Sequence, residues 1–255
     1  MAIAIVTGAS SGMGMEFVRQ LDADKKTPLD AIWVIARRTD RLEQLKSECS
    51  HEIVAITADL TTAEGREAVV NRLSEEQPQV SVLVNAAGFG KYGTYLDLTD
   101  REIDDMIDLN VKSMVHMTYD VLPYMPDGSR ILTIGSASAF QPLPEFNMYA
   151  STKAFVVHFC RALNVELKSR RISVTCVCPG FVRTEFFAVA QDTKNPDTCK
   201  NFKPMYEPKA VVKKALRDSR RRKDLSVLGL NTKFKRWAAK LLPAKMVMQT
   251  WLKIK

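Results

Sequence analysis

Seven short apolar runs separated by stretches of helical period constrain this chain more than any other feature of its sequence. The runs are residues 3–6, 31–36, 53–58, 80–84, 131–134, 172–177 and 225–228. They are continuous rather than alternating, the pattern of strands covered on both faces. Between them, residues 12–24, 40–49, 62–76, 100–122, 149–169 and 207–222 have the length and period of helices. In the first of these Phe17, Val18 and Leu21 share a face, and the second is capped by Thr39 or Asp40. Strand–helix–strand repetition of this kind closes through right-handed crossovers between parallel strands. The expected fold class is α/β: a doubly wound parallel sheet of about seven strands with helices on both faces.

A hydrophobic content of 46% in 255 residues can fill such a core and excludes a disordered chain. No linker rich in Gly, Ser or Pro and no tandem repeat divides it, so one domain is expected over residues 1–229, followed by a basic extension at 230–255. Five cysteines (Cys49, Cys160, Cys176, Cys178, Cys199) are odd in number and lack C-x-x-C spacing, and the three histidines are scattered. Neither a disulfide scaffold nor a metal site is expected, and a reducing cytoplasm fits. The N-terminus lacks the basic start and apolar run of a signal peptide, and no stretch reaches the ~18 apolar residues of a membrane span. A cytoplasmic protein, soluble or at most peripherally bound, is the expectation. The least regular stretch is 180–206, polar and broken by Pro196 and Pro204 just after a strand. Ligands of open parallel sheets bind beyond the carboxyl ends of strands, so this segment is a candidate substrate lid.

Thr7-Gly8-Ala9-Ser10-Ser11-Gly12-Met13-Gly14 joins the first strand to the first helix. Glycines at 8, 12 and 14 let backbone N–H groups and a helix N-terminus approach a pyrophosphate. Gly8, Ser10, Ser11, Gly12, Met13 and Gly14 are therefore candidate cofactor contacts. Their spacing is G-x-x-x-G-x-G, one residue longer in the first gap than the usual dinucleotide fingerprint. The same octapeptide holds a rival, because Gly8-Ala9-Ser10-Ser11-Gly12 matches the G-x-S-x-G elbow of serine hydrolases with Ser10 as nucleophile. That reading is the weaker one: the elbow strand normally lies inside the sheet order, and His51, His116 and His158 follow without an oxyanion motif. The second strand ends Ala36-Arg37-Arg38, where NAD enzymes place a carboxylate for the adenosine ribose. Ala36 removes that acceptor and a neighbouring guanidinium can grip a 2′-phosphate, so NADP(H) is preferred, with NAD(H) second.

Tyr149 and Lys153 sit at i and i+4 on one helical face. A phenol with a pKa near ~10 is a poor acid–base catalyst at neutral pH, and a nearby ammonium stabilises its anion. Gly135-Ser136-Ala137-Ser138 follows a buried strand, where a hydroxyl can reach a substrate oxygen. Ser136 is the main candidate and Ser138 the secondary one.

Together, Thr7-Gly8-x-x-x-Gly12-x-Gly14, Asp59-Leu60, Asn85-Ala86-Ala87-Gly88, Asn110, Ser136, Tyr149-x-x-x-Lys153 and Pro179-Gly180 resemble the short-chain dehydrogenase/reductase family in its single-domain, Rossmann-like form. The resemblance is greatest to bacterial hydroxysteroid and 3-ketoacyl-type reductases with a basic C-terminal extension. It runs from residue 3 to about 185. It implies that Tyr149 exchanges a proton with the carbonyl or alcohol oxygen and that Ser136 orients that oxygen. Lys153 would hold the nicotinamide ribose and depress the pKa of Tyr149. Asn110, through its backbone carbonyl or side chain, would hold a water that relays protons to Lys153. Asp59 would meet the adenine amino group with Leu60 beside it, and Asn85, Ala86, Ala87 and Gly88 would line the adenosine side. Val182 and Thr184, after Pro179 and Gly180, would fix the carboxamide. Ala86 stands where a second Asn is common and Met13 where Ile is common, neither a reactive position. A homodimer or homotetramer is also implied.

Phe89, Tyr92, Tyr95, Phe140, Phe146, Met148, Phe181, Phe186 and Phe187 cluster in the segments that should face substrate. Such a lining suits a bulky hydrophobic ketone or alcohol, steroid, acyl or aryl. An alternative role is a non-catalytic NADP(H)-binding regulator. The net charge of +8 is uneven: residues 1–199 hold 20 basic and 26 acidic side chains, residues 200–255 hold 17 and 3. Phe234, Trp237, Ala238, Leu241 and Leu242 follow a helical stripe among Lys233, Lys235, Arg236 and Lys240. Pro243 then interrupts before Met246, Val247, Trp251 and Leu252. This hairpin can pack on its own domain or a second subunit, touch an anionic membrane, or stay mobile. Arg220-Arg221-Arg222-Lys223 invites nucleic acid, but no base-stacking motif accompanies it, so no nucleic-acid partner is expected.

Overall fold

In a computed structural model that describes all 255 residues, the chain begins β1 (Ala2–Thr7), α1 (Gly12–Asp22), β2 (Ala31–Ala36), α2 (Thr39–Glu48), β3 (Glu52–Thr57), α3 (Ala63–Glu76) and β4 (Gln79–Asn85). It continues α4 (Asp100–Ile107), a π-helical turn (Asp108–Ser113), α5 (Met114–Val121), β5 (Arg130–Ile134), α6 (Asn147–Glu166) and β6 (Ser173–Val177). Then come β7 (Phe181–Val182), α7 (Phe186–Gln191), β8 (Met205–Tyr206), α8 (Pro208–Arg220), β9 (Leu225–Ser226), α9 (Leu230–Leu241) and α10 (Ala244–Ile254).

Seven strands form one parallel sheet in the order β3-β2-β1-β4-β5-β6-β9. β1 sits in the middle, with Ile5 opposite Trp33 on β2 and Leu83 on β4. Alternation along β1 sorts the helices into two layers. Ile3 and Ile5 face Leu73 of α3, Met117 of α5 and Val156 of α6, whereas Ala4 and Val6 face Phe17 of α1, Leu42 of α2 and Val212 of α8. Both faces are apolar, which explains why the strand runs are continuous in sequence. The order reverses between β1 and β4, and a crevice opens beyond the carboxyl ends of the strands there.

Two regions depart from expectation. The segment 180–206 is not merely irregular: β7 and β8 pair in parallel, Phe181 opposite Met205 and Val182 opposite Tyr206, and α7 rises between them. These elements are too short to announce themselves by periodicity. The helical stretch expected at 100–122 is one rod interrupted by a π turn at Asp108–Ser113, with Ser113 Oγ donating to the Asp108 carbonyl at 2.7 Å and to the Leu60 carbonyl at 2.6 Å. Such insertions re-aim side chains within a helix.

The C-terminal extension folds as a two-helix hairpin and packs on its own chain. Trp251 is buried and its Nε1 donates to the Pro144 carbonyl at 2.9 Å. Lys255 pairs with Glu145, and the Arg236 guanidinium lies 5.5 Å from the Phe140 ring centroid. Of the amphipathic stripe, Phe234 and Trp237 remain 65% and 60% exposed. No helix is long and apolar enough to cross a membrane.

Candidate active site

A cleft of about 1500 Å³ runs across the carboxyl ends of the strands and under the hairpin. At one end it is lined by Gly8, Ser10, Ser11, Gly12, Met13 and Gly14, by Arg37 and Arg38, by Asp59 and Leu60, and by Ala86, Ala87 and Gly88. The loop geometry demands glycine. Gly8 has φ +66°, and a Cβ there would lie 2.6 Å from the Ala87 nitrogen, while a Cβ on Gly14 would overlap the Gly8 carbonyl oxygen. Thr7 Oγ1 accepts from the Ala86 and Ala87 amides at 3.1 and 3.2 Å and so fixes the β4 exit against the glycine loop. No side chain caps the start of α1 at Ser11, so its first-turn N–H groups are available to an anion. A dinucleotide pyrophosphate fits this cradle.

The arginines divide their work. Arg38 donates to Ser10 Oγ at 3.2 Å, to the Ser10 carbonyl at 3.3 Å and to Glu185 at 3.0 Å, and so ties the loop to the segment after β7. Arg37 is 74% exposed in its side chain, with Asp59 at 3.6 Å. Burial raises the Asp59 carboxyl, but hydrogen bonds from Thr61 and the Arg37 guanidinium more than offset it, holding the group below its ordinary range.

At the other end the cleft is lined by Ser136, Ser138, Tyr149, Lys153, Pro179, Gly180, Val182 and Thr184. Lys153 Nζ donates to the Ile134 carbonyl at 2.8 Å and lies 5.7 Å from the Tyr149 ring centroid. Burial lowers the Lys153 ammonium from 10.5 to about 8. The Tyr149 ring stacks on Phe146 at 4.5 Å and tilts against Phe186 at 5.3 Å. Burial pushes the phenol well above its ordinary value, and Ser136 pulls it partly back. The lysine-depressed phenol expected from the sequence is therefore corrected for the protein alone: desolvation dominates, and it acts on both groups toward their neutral forms. Ser138 Oγ is buried and has no protein partner.

Of the two asparagines, Asn85 lies elsewhere than expected, whereas Asn110 stands near Lys153: a Cβ on Gly88 would lie 2.8 Å from Asn110 Oδ1 and 3.3 Å from Lys153 Nζ. Asn85 is buried behind the cleft and donates to Thr118 Oγ1 at 2.9 Å, because its position at the end of β4 points it toward α5. Asn110 sits in the π turn with its side chain making three hydrogen bonds. Nδ2 donates to the Phe89 carbonyl at 2.8 Å and to Thr152 Oγ1 at 3.1 Å, and Oδ1 accepts from the Phe89 amide at 3.0 Å. Both Nδ2 hydrogens are spent in these bonds, while Oδ1 keeps one lone pair. The side chain clamps the segment after β4 onto α6.

The serine hydrolase reading fails on geometry. Ser10 Oγ is held by Arg38, no histidine lines the cleft, and His51 is bound to Asp22 at the far end of α1. The basic run at 220–223 is partly neutralised from within, Arg220 by Asp24 and Lys223 by Asp218.

A sequence model described as short chain dehydrogenase matches residues 2–195. The chain belongs to the short-chain dehydrogenase/reductase family. It is an oxidoreductase of that family. The chain is 31% identical over 200 residues to the oxidoreductase UcpA of Salmonella typhimurium, covering 76% of this chain and 74% of that one. It is 30% identical over 263 residues to the very-long-chain 3-oxoacyl-CoA reductase-B of Danio rerio, covering 96% and 77%. Among solved structures, a short-chain dehydrogenase from Sphingobium yanoikuyae in complex with NADPH superposes with a TM-score of 0.78 at 26% identity, covering 98% of this chain and 96% of that one.

Of the nine aromatic and Met positions expected to face substrate in this dehydrogenase, Phe89, Tyr92, Phe146, Phe181, Phe186 and Phe187 line the cleft, whereas Tyr95, Phe140 and Met148 do not. Sequence reading missed the hairpin as a wall, although Phe234, Leu242, Val247 and Trp251 also line it. It missed Lys91 as well. That buried lysine donates to the Asp192 carbonyl and lies 3.5 Å from Glu102, and with the Tyr92 amide on the Ala190 carbonyl at 2.9 Å it fastens the α7 segment.

Proposed function

We propose that this protein interconverts a secondary alcohol and a ketone with NADP(H), on a bulky hydrophobic substrate. The observation that carries the reading is the Ser136, Tyr149 and Lys153 cluster at the meeting point of a glycine cradle and an aromatic cavity. In reduction the Tyr149 Oη–H bond breaks as the O–H bond of the alcohol forms, and Ser136 donates a hydrogen bond to the same oxygen. Lys153 holds the ribose hydroxyls and stabilises the phenolate left behind. NADPH, when bound, would supply the hydride for the carbonyl carbon. Phe146 and Phe186 hold the Tyr149 ring and keep water from it. Oxidation runs the same proton path backward. Turnover of steroid, acyl-thioester or aryl ketones with NADPH tests this; a regulator would bind NADPH and turn over none of them.

Ala36 and the largely exposed Arg37, held only by its ion pair with Asp59, support the preference for the 2′-phosphate. Arg37→Ala should narrow the NADPH over NADH preference by roughly 10 to 150-fold, the worth of one charge-assisted hydrogen bond. Arg38→Ala, which loosens the loop itself, should weaken both cofactors alike. Fluorescence titration of each variant with each cofactor checks this, and equal losses for Arg37→Ala would refute the phosphate assignment.

A pH dependence follows from Lys153. Because burial lowers its pKa to about 8, the ammonium is present below that pH and lost above it. The kcat/KM for NADPH, which reports the free enzyme, should fall about tenfold per unit as pH rises past that point. Lys153→Met should give a low and flat profile over the same window; an unchanged limb in that variant would assign it to another group.

For the proposed homo-oligomer, the stacked Phe155 and Phe159 and the half-exposed Tyr119 on α5 and α6 supply an apolar face away from the cleft. Light-scattering mass with and without Phe155→Lys checks it: a smaller particle is expected.

A further inference from the structure

Several side chains of the hairpin belong both to the cavity wall and to the surface. Leu230, Phe234, Leu242 and Ile254 line the cleft while remaining 84%, 65%, 46% and 44% exposed. They form an apolar rim around an opening of the cavity. Next to them, outside the cavity, Trp237 and Leu241 extend the exposed stripe along α9, with the Phe234 and Trp237 rings 6.3 Å apart. Leaving such side chains in water forfeits the stabilisation that burial of each would yield, so the face calls for an occupant.

Charge identifies the occupant. Residues 1–229 hold 30 basic and 29 acidic side chains and are nearly neutral, whereas residues 230–255 hold 7 basic and no acidic ones. Two hairpins meeting about a twofold axis would bring 7 positive charges against 7, so this face does not pair with itself. An anionic lipid surface satisfies both the apolar rim and the basic flanks.

We propose that the α9–α10 hairpin docks on anionic membranes with the rim of the cavity turned into the interface, so that apolar substrate enters the active site from the lipid. The substrate part of this rests on the ketone reductase reading above; the docking part does not. Lys233 and Lys240 would face the headgroups while Phe234, Trp237 and Leu241 insert among the acyl chains.

The test uses the full-length protein and vesicles of phosphatidylglycerol with phosphatidylcholine, compared with phosphatidylcholine alone. Co-sedimentation is expected with the anionic vesicles only, and to weaken with added salt. Trp237→Ser with Leu241→Ser should reduce that binding at least ~10-fold. Neither residue lines the cavity, so the double variant should keep wild-type circular dichroism and wild-type turnover of a water-soluble ketone. No sedimentation of the wild type with anionic vesicles, equal sedimentation with neutral ones, or undiminished binding by the double variant would each overturn the proposal. So would a change of oligomeric mass in the double variant with vesicle binding intact, which would make the face a contact between copies. Sedimentation needs no turnover, so inactivity on every ketone would sink the ketone reductase reading and leave the docking result standing.

Discussion

Tyr149→Phe is expected to lower ketone reduction by at least ~10² in kcat while leaving the fold and NADPH affinity intact. The reasoning is local. The ring of Tyr149 is held by stacking on Phe146 and by Phe186, contacts that phenylalanine reproduces. What the substitution removes is one oxygen, the acid facing Ser136 in a buried pocket. Ser136 and the cofactor cradle remain, so residual rate from positioning should survive. A loss of thermal stability large enough to explain the rate would point to structure instead of chemistry, so the melting temperature is read alongside. Near-wild-type reductase activity would remove Tyr149 from the mechanism.

Gly14→Ala should do the converse, damaging cofactor binding and stability together. The added methyl would overlap the Gly8 carbonyl oxygen, which belongs to the backbone and cannot swing aside. Relief requires moving the start of α1, whose Phe17, Val18 and Leu21 are buried in the sheet core. Overpacking of this kind costs about 1–3 kcal/mol. The N–H groups that would meet the pyrophosphate move with the helix, and losing one charge-assisted hydrogen bond of ~1.5–3 kcal/mol weakens NADPH at least ~10-fold. Calorimetric titration and thermal unfolding measure the two effects. Unchanged affinity and stability would show that the loop is slack and that the cradle is not formed by close contact.

The sheet was legible because its central strands are buried on both faces and their apolar runs do not alternate. The glycine loop was legible because only glycine, lacking a Cβ, tolerates the approach of Gly8 to Ala87 and of Gly14 to Gly8. Tyr149 and Lys153 were legible as a helical pair, yet their charge state was not, since burial depends on Phe146, Phe186 and the hairpin rather than on spacing. Asn110 illustrates a different limit. A π turn changes which way a side chain points without changing hydropathy, and only the structure reveals that its amide is spent on Phe89 and Thr152.

The hairpin is the most instructive difference. Its amphipathic stripe marks Phe234, Trp237 and Leu241 as a face to be covered, but the residue that anchors it is Trp251, through Pro144, in a loop more than a hundred positions earlier. No local pattern encodes that partner. The hairpin that walls the cleft carries 7 basic side chains and no acidic one, so part of the chain's positive charge sits on the active-site wall.

The central claim is that the cleft performs carbonyl chemistry with NADP(H). Its most direct test follows NADPH absorbance when the wild-type protein meets a bulky aryl or steroid ketone. The expected result is NADPH oxidation matched mole for mole by secondary alcohol, faster than with NADH. Tight NADPH binding with no oxidation across steroid, acyl-thioester and aryl ketones would contradict it.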